Sequence, residues 1–102
     1  MLTLSVPPEK AVLLIQERID ALETIPQTPS GPEYYDVVRW CSKTWAVIDG
    51  IYAPHDPHRE EIRSISLGNC SCNVQVQGLL LIDAYSSRLQ DYIREIRETT
   101  PL

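Results

Sequence analysis

The sequence predicts an all-α fold, a small helical bundle of three long helices and one short helix. Apolar residues recur every three or four positions along three long segments, and proline-rich stretches separate these segments. Only residues 73–77 alternate between polar and apolar side chains in the manner of a strand. A lone strand has no partner with which to form a sheet. With 102 residues, of which 43% are hydrophobic and 23% charged, the chain fits a single helical domain spanning residues 1–102.

The first helix is expected at about residues 8–25. Pro7 and Pro8 suit a helix start, because a missing amide in the first turn loses no hydrogen bond. Its apolar stripe consists of Val12, Ile15, Ile19 and Leu22. The three prolines and one glycine of residues 26–32 then predict a turn that reverses the chain.

The second helix is the predicted centre of the fold, from about Gly31 to Tyr52. Ser30 and Glu33 have the spacing of a capping box, and Pro54 ends the helix because it disfavours a helical conformation at the preceding residue.

This second helix carries two apolar stripes. One stripe consists of Tyr34, Val38, Cys41, Trp45, Ile48 and Tyr52, and the other of Val37, Trp40, Thr44, Val47 and Ile51. A helix that is apolar on two sides packs against more than one neighbour. Trp40 and Trp45 are about 140° apart round the helix, so we expect them to have different neighbours.

A short third helix is expected from Pro57 to about Ser66, with Asp56 as its N-cap. Residues 67–73 are rich in turn formers and predict a loop. Residues 73–77 alternate like a strand, but helix is favoured because a lone strand would lack a partner. The fourth helix is then expected to reach about Glu98. Its buried stripe consists of Ile82, Tyr85, Leu89, Tyr92 and Ile96.

Charge and hydropathy exclude several classes of function. The net charge of −5 argues against nucleic-acid binding, which needs a surplus of Lys and Arg. The longest apolar run, residues 79–82, is too short for a membrane span. The first residues have neither the basic nor the long apolar part of an export signal, so we expect a cytoplasmic protein.

Possible metal ligands cluster at His55 and His58, followed by Glu60 and Glu61. Imidazoles and carboxylates bind transition metals, but a site needs three or four ligands and the chain has no third histidine. Glu61 would have to complete the set. The favoured interpretation is that Asp56 caps the short helix and leaves both histidines exposed, with no cofactor bound.

The three cysteines offer little chemistry. Cys70 and Cys72 are one residue too close for a Cys-x-x-Cys motif, and we expect them to be reduced thiols in a loop. Cys41 lies on an apolar stripe, where a free cysteine packs as a small hydrophobic residue.

The candidate partner-binding strip lies on the second helix and consists of Trp40, Val47 and Ile51, extended by Tyr34 and Tyr35. Aromatic anchors dominate the energetics of protein interfaces. The competing interpretation, which is favoured for the tryptophans themselves, is that both belong to the core.

Residues 34–65, with Trp40, Thr44, Ile48, the pair Ile51-Tyr52 and a proline-containing break before Glu61-Ile62, resemble a family of bacterial helical modules. Gly78-Leu79-Leu80 through Ile96 extends the resemblance. These modules precede TIR-like or other effector domains in defence proteins. The resemblance implies a role in protein interaction or oligomerisation, with no catalytic residues.

The leading hypothesis is therefore a non-enzymatic module that self-associates or binds a protein partner, possible roles being bacterial defence or a stress response. One alternative is a small metal-dependent or acid–base enzyme that uses His55, His58, Glu60 and Glu61. Another is a phage or mobile-element protein that inhibits a host protein through its acidic surface.

Overall fold

In the computed structural model, which describes residues 3–29, 31–65 and 74–99, helices pack round one hydrophobic core. The described helices are α1 (Pro8–Asp20), α2 (Tyr34–Ile51), α3 (His58–Arg63) and α4 (Val74–Thr99). Two strands of two residues each, β1 (Gln27–Thr28) and β2 (Gly31–Pro32), form a minimal hairpin between α1 and α2. The predicted all-α class, with three long helices and one short helix, is confirmed.

The first helix begins where the prolines place it, with Pro7 as N-cap and Pro8 in the first turn. After Asp20 the chain tightens into a 3-10 turn, Ala21–Thr24, so the predicted helix at 8–25 is close to the observed 8–24. Ala11 and Ile15 are completely buried and fix the side of α1 that faces the core.

The start of α2 differs from the prediction, because the helix begins at Tyr34 and not at Gly31. Gly31 and Pro32 pair with β1 in an antiparallel hairpin, which keeps them out of the helix. Gly31 has a φ of 131°, a conformation that side chains with a Cβ rarely adopt. Glu33 is the N-cap, and its carboxylate accepts a hydrogen bond from the Tyr35 amide at 3.5 Å. Ser30, the other half of the predicted capping box, lies outside the described residues.

The closest-packed pair of long helices is α1 and α4, so α2 is not the sole centre of the fold, but it packs against both of them. Arg18 of α1 contacts Trp40 and Thr44, and the chain before α1 meets Ile51, so α1 runs antiparallel to α2. Helix α4 runs in the same direction as α2. Its Gly78 approaches Val37, its Tyr85 meets Trp40, and its Tyr92 meets Tyr52, just after α2.

The expectation that Trp40 and Trp45 have different neighbours is wrong for one residue, Tyr85. The Trp40 indole N–H donates to the Arg18 carbonyl at 2.8 Å, whereas the Trp45 indole N–H donates to the Tyr85 hydroxyl at 2.9 Å. Tyr85 nevertheless contacts both, because its ring also lies edge-on to Trp40 at 5.7 Å. A tyrosine is long enough to reach across the 140° that separates the two positions.

Residues 3–5 form an N-terminal strap that lies along the chain after α2. The Ser5 amide donates to the Ile51 carbonyl at 2.7 Å, and the Ala53 amide donates to the Thr3 carbonyl at 2.9 Å. The Thr3 amide donates to the Asp56 carboxylate at 2.6 Å. The strap therefore ties the start of the chain to the connection between α2 and α3.

Helix α3 is shorter than expected at its C-terminal end, stopping at Arg63, and begins one residue after Pro57. The N-cap of α3 is Pro57 and not Asp56 as expected, but the Asp56 carboxylate accepts from the amide of His58, the first helical residue, at 2.8 Å. The predicted loop at 67–73, with Cys70 and Cys72, lies outside the described residues.

Helix α4 includes residues 74–77, so the helical interpretation of that segment is correct for these positions. Of its predicted stripe, Tyr85, Leu89, Tyr92 and Ile96 are buried and Ile82 is half-buried. None of the helices in the described ranges combines the length and the apolar composition that crossing a membrane would need.

Candidate interaction surface

The structure places the predicted strip of Trp40, Val47 and Ile51 in the interior and not on the surface. Trp40 is 4% exposed and Ile51 is 0% exposed, while Val47 is half-buried against the same core. Helix α1 and the strap cover this side of α2, as the bonds from Trp40 to Arg18 and from Ser5 to Ile51 show. The prediction of an exposed strip is therefore wrong, because the chain itself supplies the missing neighbour.

Tyr34 and Tyr35, the extension of that strip, lie at the first turn of α2. Their rings contact each other edge-on at 6.1 Å. Tyr34 is half-buried beside Gly78 of α4, whereas Tyr35 is 71% exposed. Of the five residues proposed for partner binding, Tyr35 is the one that presents a large apolar surface to solvent.

Three more large apolar side chains are exposed at the same end of the molecule. Val38 is 40% exposed on α2, and Leu79 and Leu80 are 47% and 40% exposed on α4. A Cβ placed on Gly78 would lie 3.6 Å from the Val37 side chain, so α4 and α2 are close together here. The residues that follow Gly78 on α4 and Val37 on α2 therefore lie at the same end of the molecule. We call Tyr35, Val38, Leu79 and Leu80 the apolar end.

The sequence contains a local signal for the apolar end that is separate from the two stripes of α2. Residues 79–82 are four consecutive apolar positions on a helix, and consecutive positions are 100° apart. Four such positions point to all sides, so one neighbour cannot cover them all. Leu79 and Leu80 are the members left exposed, whereas Leu81 and Ile82 are half-buried.

A separate group of polar residues surrounds His58. It lies at the end of the α2–α4 contact that is opposite to the apolar end. The His58 Nδ1 atom lies against the Asp56 carboxylate, and the Nε2 atom is 2.7 Å from the Glu95 carboxylate. The side chain of His58 is 12% exposed and that of Asp56 is 0% exposed. The prediction that both histidines are exposed is therefore correct for His55 and wrong for His58.

Both ring nitrogens of His58 therefore face carboxylate oxygens. Burial alone would raise the pKa of Asp56, but hydrogen bonds from His58 and Thr3, and the charge of His58, hold that pKa below its usual value. The carboxylates of Asp56 and Glu95 thus hold the His58 ring between them.

Two tyrosines enclose the His58 ring. Tyr52 stacks on it with centroids 4.5 Å apart and planes 1° from parallel, and Tyr92 contacts it edge-on at 5.0 Å. The Tyr92 hydroxyl donates to the Glu61 carboxylate at 2.8 Å. Burial first, and nearby carboxylates second, raise the pKa of both phenols above the usual value.

The residues considered as metal ligands do not converge. His55 is exposed, the ring nitrogens of His58 face Asp56 and Glu95, and Glu61 accepts from Tyr92 and pairs with Arg88 at 3.6 Å. Across residues 3–29, 31–65 and 74–99, no group of three His, Cys, Asp or Glu side chains is placed to hold a metal ion.

Cys41 is buried, as expected, at 5% exposure. Burial raises the pKa of its thiol to about 11, which favours the protonated thiol at neutral pH.

No family model, no curated protein and no solved structure matches this chain.

Proposed function

We propose that this chain is a non-enzymatic protein-interaction module that buries its apolar end against another protein. The observation that carries the proposal is the exposure of Tyr35, Val38, Leu79 and Leu80 at one end of the molecule. Clustered apolar side chains on a soluble surface mark interaction sites, and tyrosine is enriched at interfaces.

A second copy of the chain is the first partner to test. The apolar end is present on each copy, and a contact with two-fold symmetry pairs such a surface with itself. Sedimentation velocity over a range of concentrations measures this directly. The double variant Tyr35→Gln/Leu79→Gln should remain monomeric at concentrations at which the unmodified chain associates.

Leu13 provides a matched control. It is 59% exposed on the outer side of α1, two residues from each of the buried residues Ala11 and Ile15. Leu13→Gln removes one exposed apolar side chain outside the apolar end, so it should associate like the unmodified chain. Equal loss of association in both variants would show that general surface hydrophobicity is the cause.

A different protein is the second possible partner, and bacterial defence is the setting that we propose from the resemblance. The product of an adjacent gene is the candidate to titrate in isothermal calorimetry, with the same double variant and the same control. A chain that stays monomeric at every concentration and binds no such partner would overturn the proposed function.

A further inference from the structure

An open cavity of about 180 Å³ lies between the end of α1 and the first half of α2. Three cationic side chains line it, from Arg18, Arg39 and Lys43. Asp36 is the one carboxylate among the described residues that line the cavity, and it pairs with Arg39 at 3.4 Å. The cavity thus has a formal surplus of two positive charges.

The surplus charge of the cavity is positive, whereas the net charge of the whole chain is negative. The net charge is −5, and the sequence has nine Lys and Arg residues, of which three surround this one cavity. Elsewhere arginines pair with carboxylates: Arg59 and Arg63 both pair with Asp49, and Arg88 pairs with Glu61. Within the described residues, Arg18 and Lys43 form no ion pair with a carboxylate.

Arg18 is held in place although it lacks a counter-charge. Its Nε atom donates to the Thr44 hydroxyl at 3.3 Å, and its guanidinium carbon lies 5.6 Å from the centre of the Trp40 ring. The Trp40 indole N–H in turn bonds to the Arg18 carbonyl. A half-buried guanidinium is normally paired with an anion, because removing its charge from water is costly. Burial lowers the pKa of Arg18 for the same reason.

We propose that this cavity binds a phosphate group. The guanidinium of Arg18 would form the fixed side of the site, and Arg39 and Lys43 would close round the ligand from the exposed side. The surplus of two positive charges matches a phosphate monoester, which carries nearly two negative charges at pH 7. A cavity of about 180 Å³ holds a phosphate and a few attached atoms, and is smaller than the roughly 300–1,000 Å³ of sites for larger ligands. This inference does not depend on the proposed interaction function.

The two tryptophans make the site testable by NMR. Inorganic phosphate is titrated at constant ionic strength, because salt screens exposed charges. The indole N–H signal of Trp40, at the cavity wall, should shift and saturate. The signal of Trp45 should move far less, because its N–H bonds to Tyr85 and its ring does not line the cavity.

Substitutions of the cationic side chains show whether these side chains are responsible for phosphate binding. Lys43→Gln should weaken phosphate binding by about threefold to tenfold, because it removes one charge-assisted contact at an exposed position. Lys10→Gln changes the net charge equally but lies on α1 outside the cavity, so it should bind like the unmodified chain. Arg18→Gln should abolish binding; if it does not fold, the comparison of Lys43 with Lys10 still decides.

Two results would overturn the proposal: shifts that grow linearly without saturating, or acetate and chloride that act as strongly as phosphate. Glycerol phosphate and a phosphoserine peptide then distinguish the sources of the ligand. Tighter binding of the peptide would assign the site to a phosphorylated protein, and tighter binding of glycerol phosphate to a small molecule. Equal binding would support recognition of the phosphate group alone.

Discussion

The hydroxyl group of Tyr52 is buried without a hydrogen-bond partner among the described residues, although its ring stacks on His58. Tyr92 is the contrasting case beside it, because its hydroxyl donates to the Glu61 carboxylate. The buried hydroxyl therefore destabilises the fold at Tyr52, whereas at Tyr92 its hydrogen bond stabilises the fold. A buried hydroxyl without a partner costs about 1–3 kcal/mol, whereas a hydrogen bond to a charged group stabilises by a similar amount.

We predict that the same substitution has opposite effects at these two positions. Tyr52→Phe should raise the free energy of unfolding by about 1 kcal/mol, because it removes a hydroxyl that has lost its water. Tyr92→Phe should lower that free energy by about 1–2 kcal/mol. Urea unfolding at pH 7 measures both. Equal destabilisation by the two variants would mean that the Tyr52 hydroxyl has a partner after all.

Asp56 should make the stability of the fold depend on pH on the acid side. Its pKa is lower in the folded chain than in the unfolded chain, so the folded state binds its proton less readily. The resulting stabilisation is present above the ordinary pKa of aspartate, about 3.9, and is lost as the pH falls through the lower folded value.

Asp56→Asn should therefore lower the free energy of unfolding at pH 7 by about 1–3 kcal/mol, since the amides of Thr3 and His58 lose their charged acceptor. The difference from the unmodified chain should shrink as the pH falls below about 4. Asp83→Asn, at an exposed position on α4, is the control and should leave the pH profile unchanged. A difference that stays constant from pH 7 to pH 2 would contradict the assignment.

At the scale of single elements, the two glycines that lie in the described helices, Gly50 and Gly78, are positions where alanine is tolerated. A Cβ at Gly78 would lie 3.6 Å from Pro32 and Val37, which is ordinary contact, and a Cβ at Gly50 would have nothing within 4 Å. Each change to alanine should raise the free energy of unfolding by about 0.5–1 kcal/mol, because alanine loses less conformational entropy in a helix.

Thermal unfolding of the two single variants and of the double variant tests this, and the two effects should add because the sites are distant. Gly78→Leu is the opposing control: its larger side chain has no room between α2 and α4 and should destabilise the fold. A Gly78→Ala variant that is less stable than the unmodified chain would show that α2 and α4 approach each other more closely.

The helices were predictable because their signal is local. The periodic apolar residues of α1, α2 and α4, and the proline boundaries near Pro8 and Pro54, depend only on neighbouring positions. The predicted start of α2 at Gly31 is wrong because Gln27 pairs with Pro32 in the hairpin. Both residues belong to segments that are polar or rich in proline. Proline and glycine indicate that a turn occurs, but they do not show which residues pair across it.

At the scale of the whole molecule, the site was harder to predict than the fold. The stripes on α2 identify which sides are apolar, and the same pattern results whether a helix of this chain or a partner covers them. The sequence leaves a partner possible at Trp40 and Ile51 because nothing local reveals that α1 and the strap pack there. The contact between His58 and Glu95 joins residues 37 positions apart, beyond the reach of any motif.

The N-terminal strap has a consequence for the rates of folding and unfolding. Its bond from Thr3 to Asp56 closes a loop of 53 residues, and loops of that length are entropically unfavourable until the elements between them are in place. We therefore expect the strap to dock after the transition state for folding. Contacts that form this late slow unfolding without accelerating folding.

Thr3→Pro removes the amide that donates to Asp56, so it should accelerate unfolding by about fivefold to thirtyfold and leave the main refolding rate nearly unchanged. Ser5→Ala keeps the backbone amide that bonds to Ile51 and serves as the control. Stopped-flow measurements in urea give both rates, and a refolding rate that falls in proportion would place the strap in the folding nucleus. On this account, three residues at the beginning of the chain determine how long the folded protein lasts, though they contribute little to how quickly it forms.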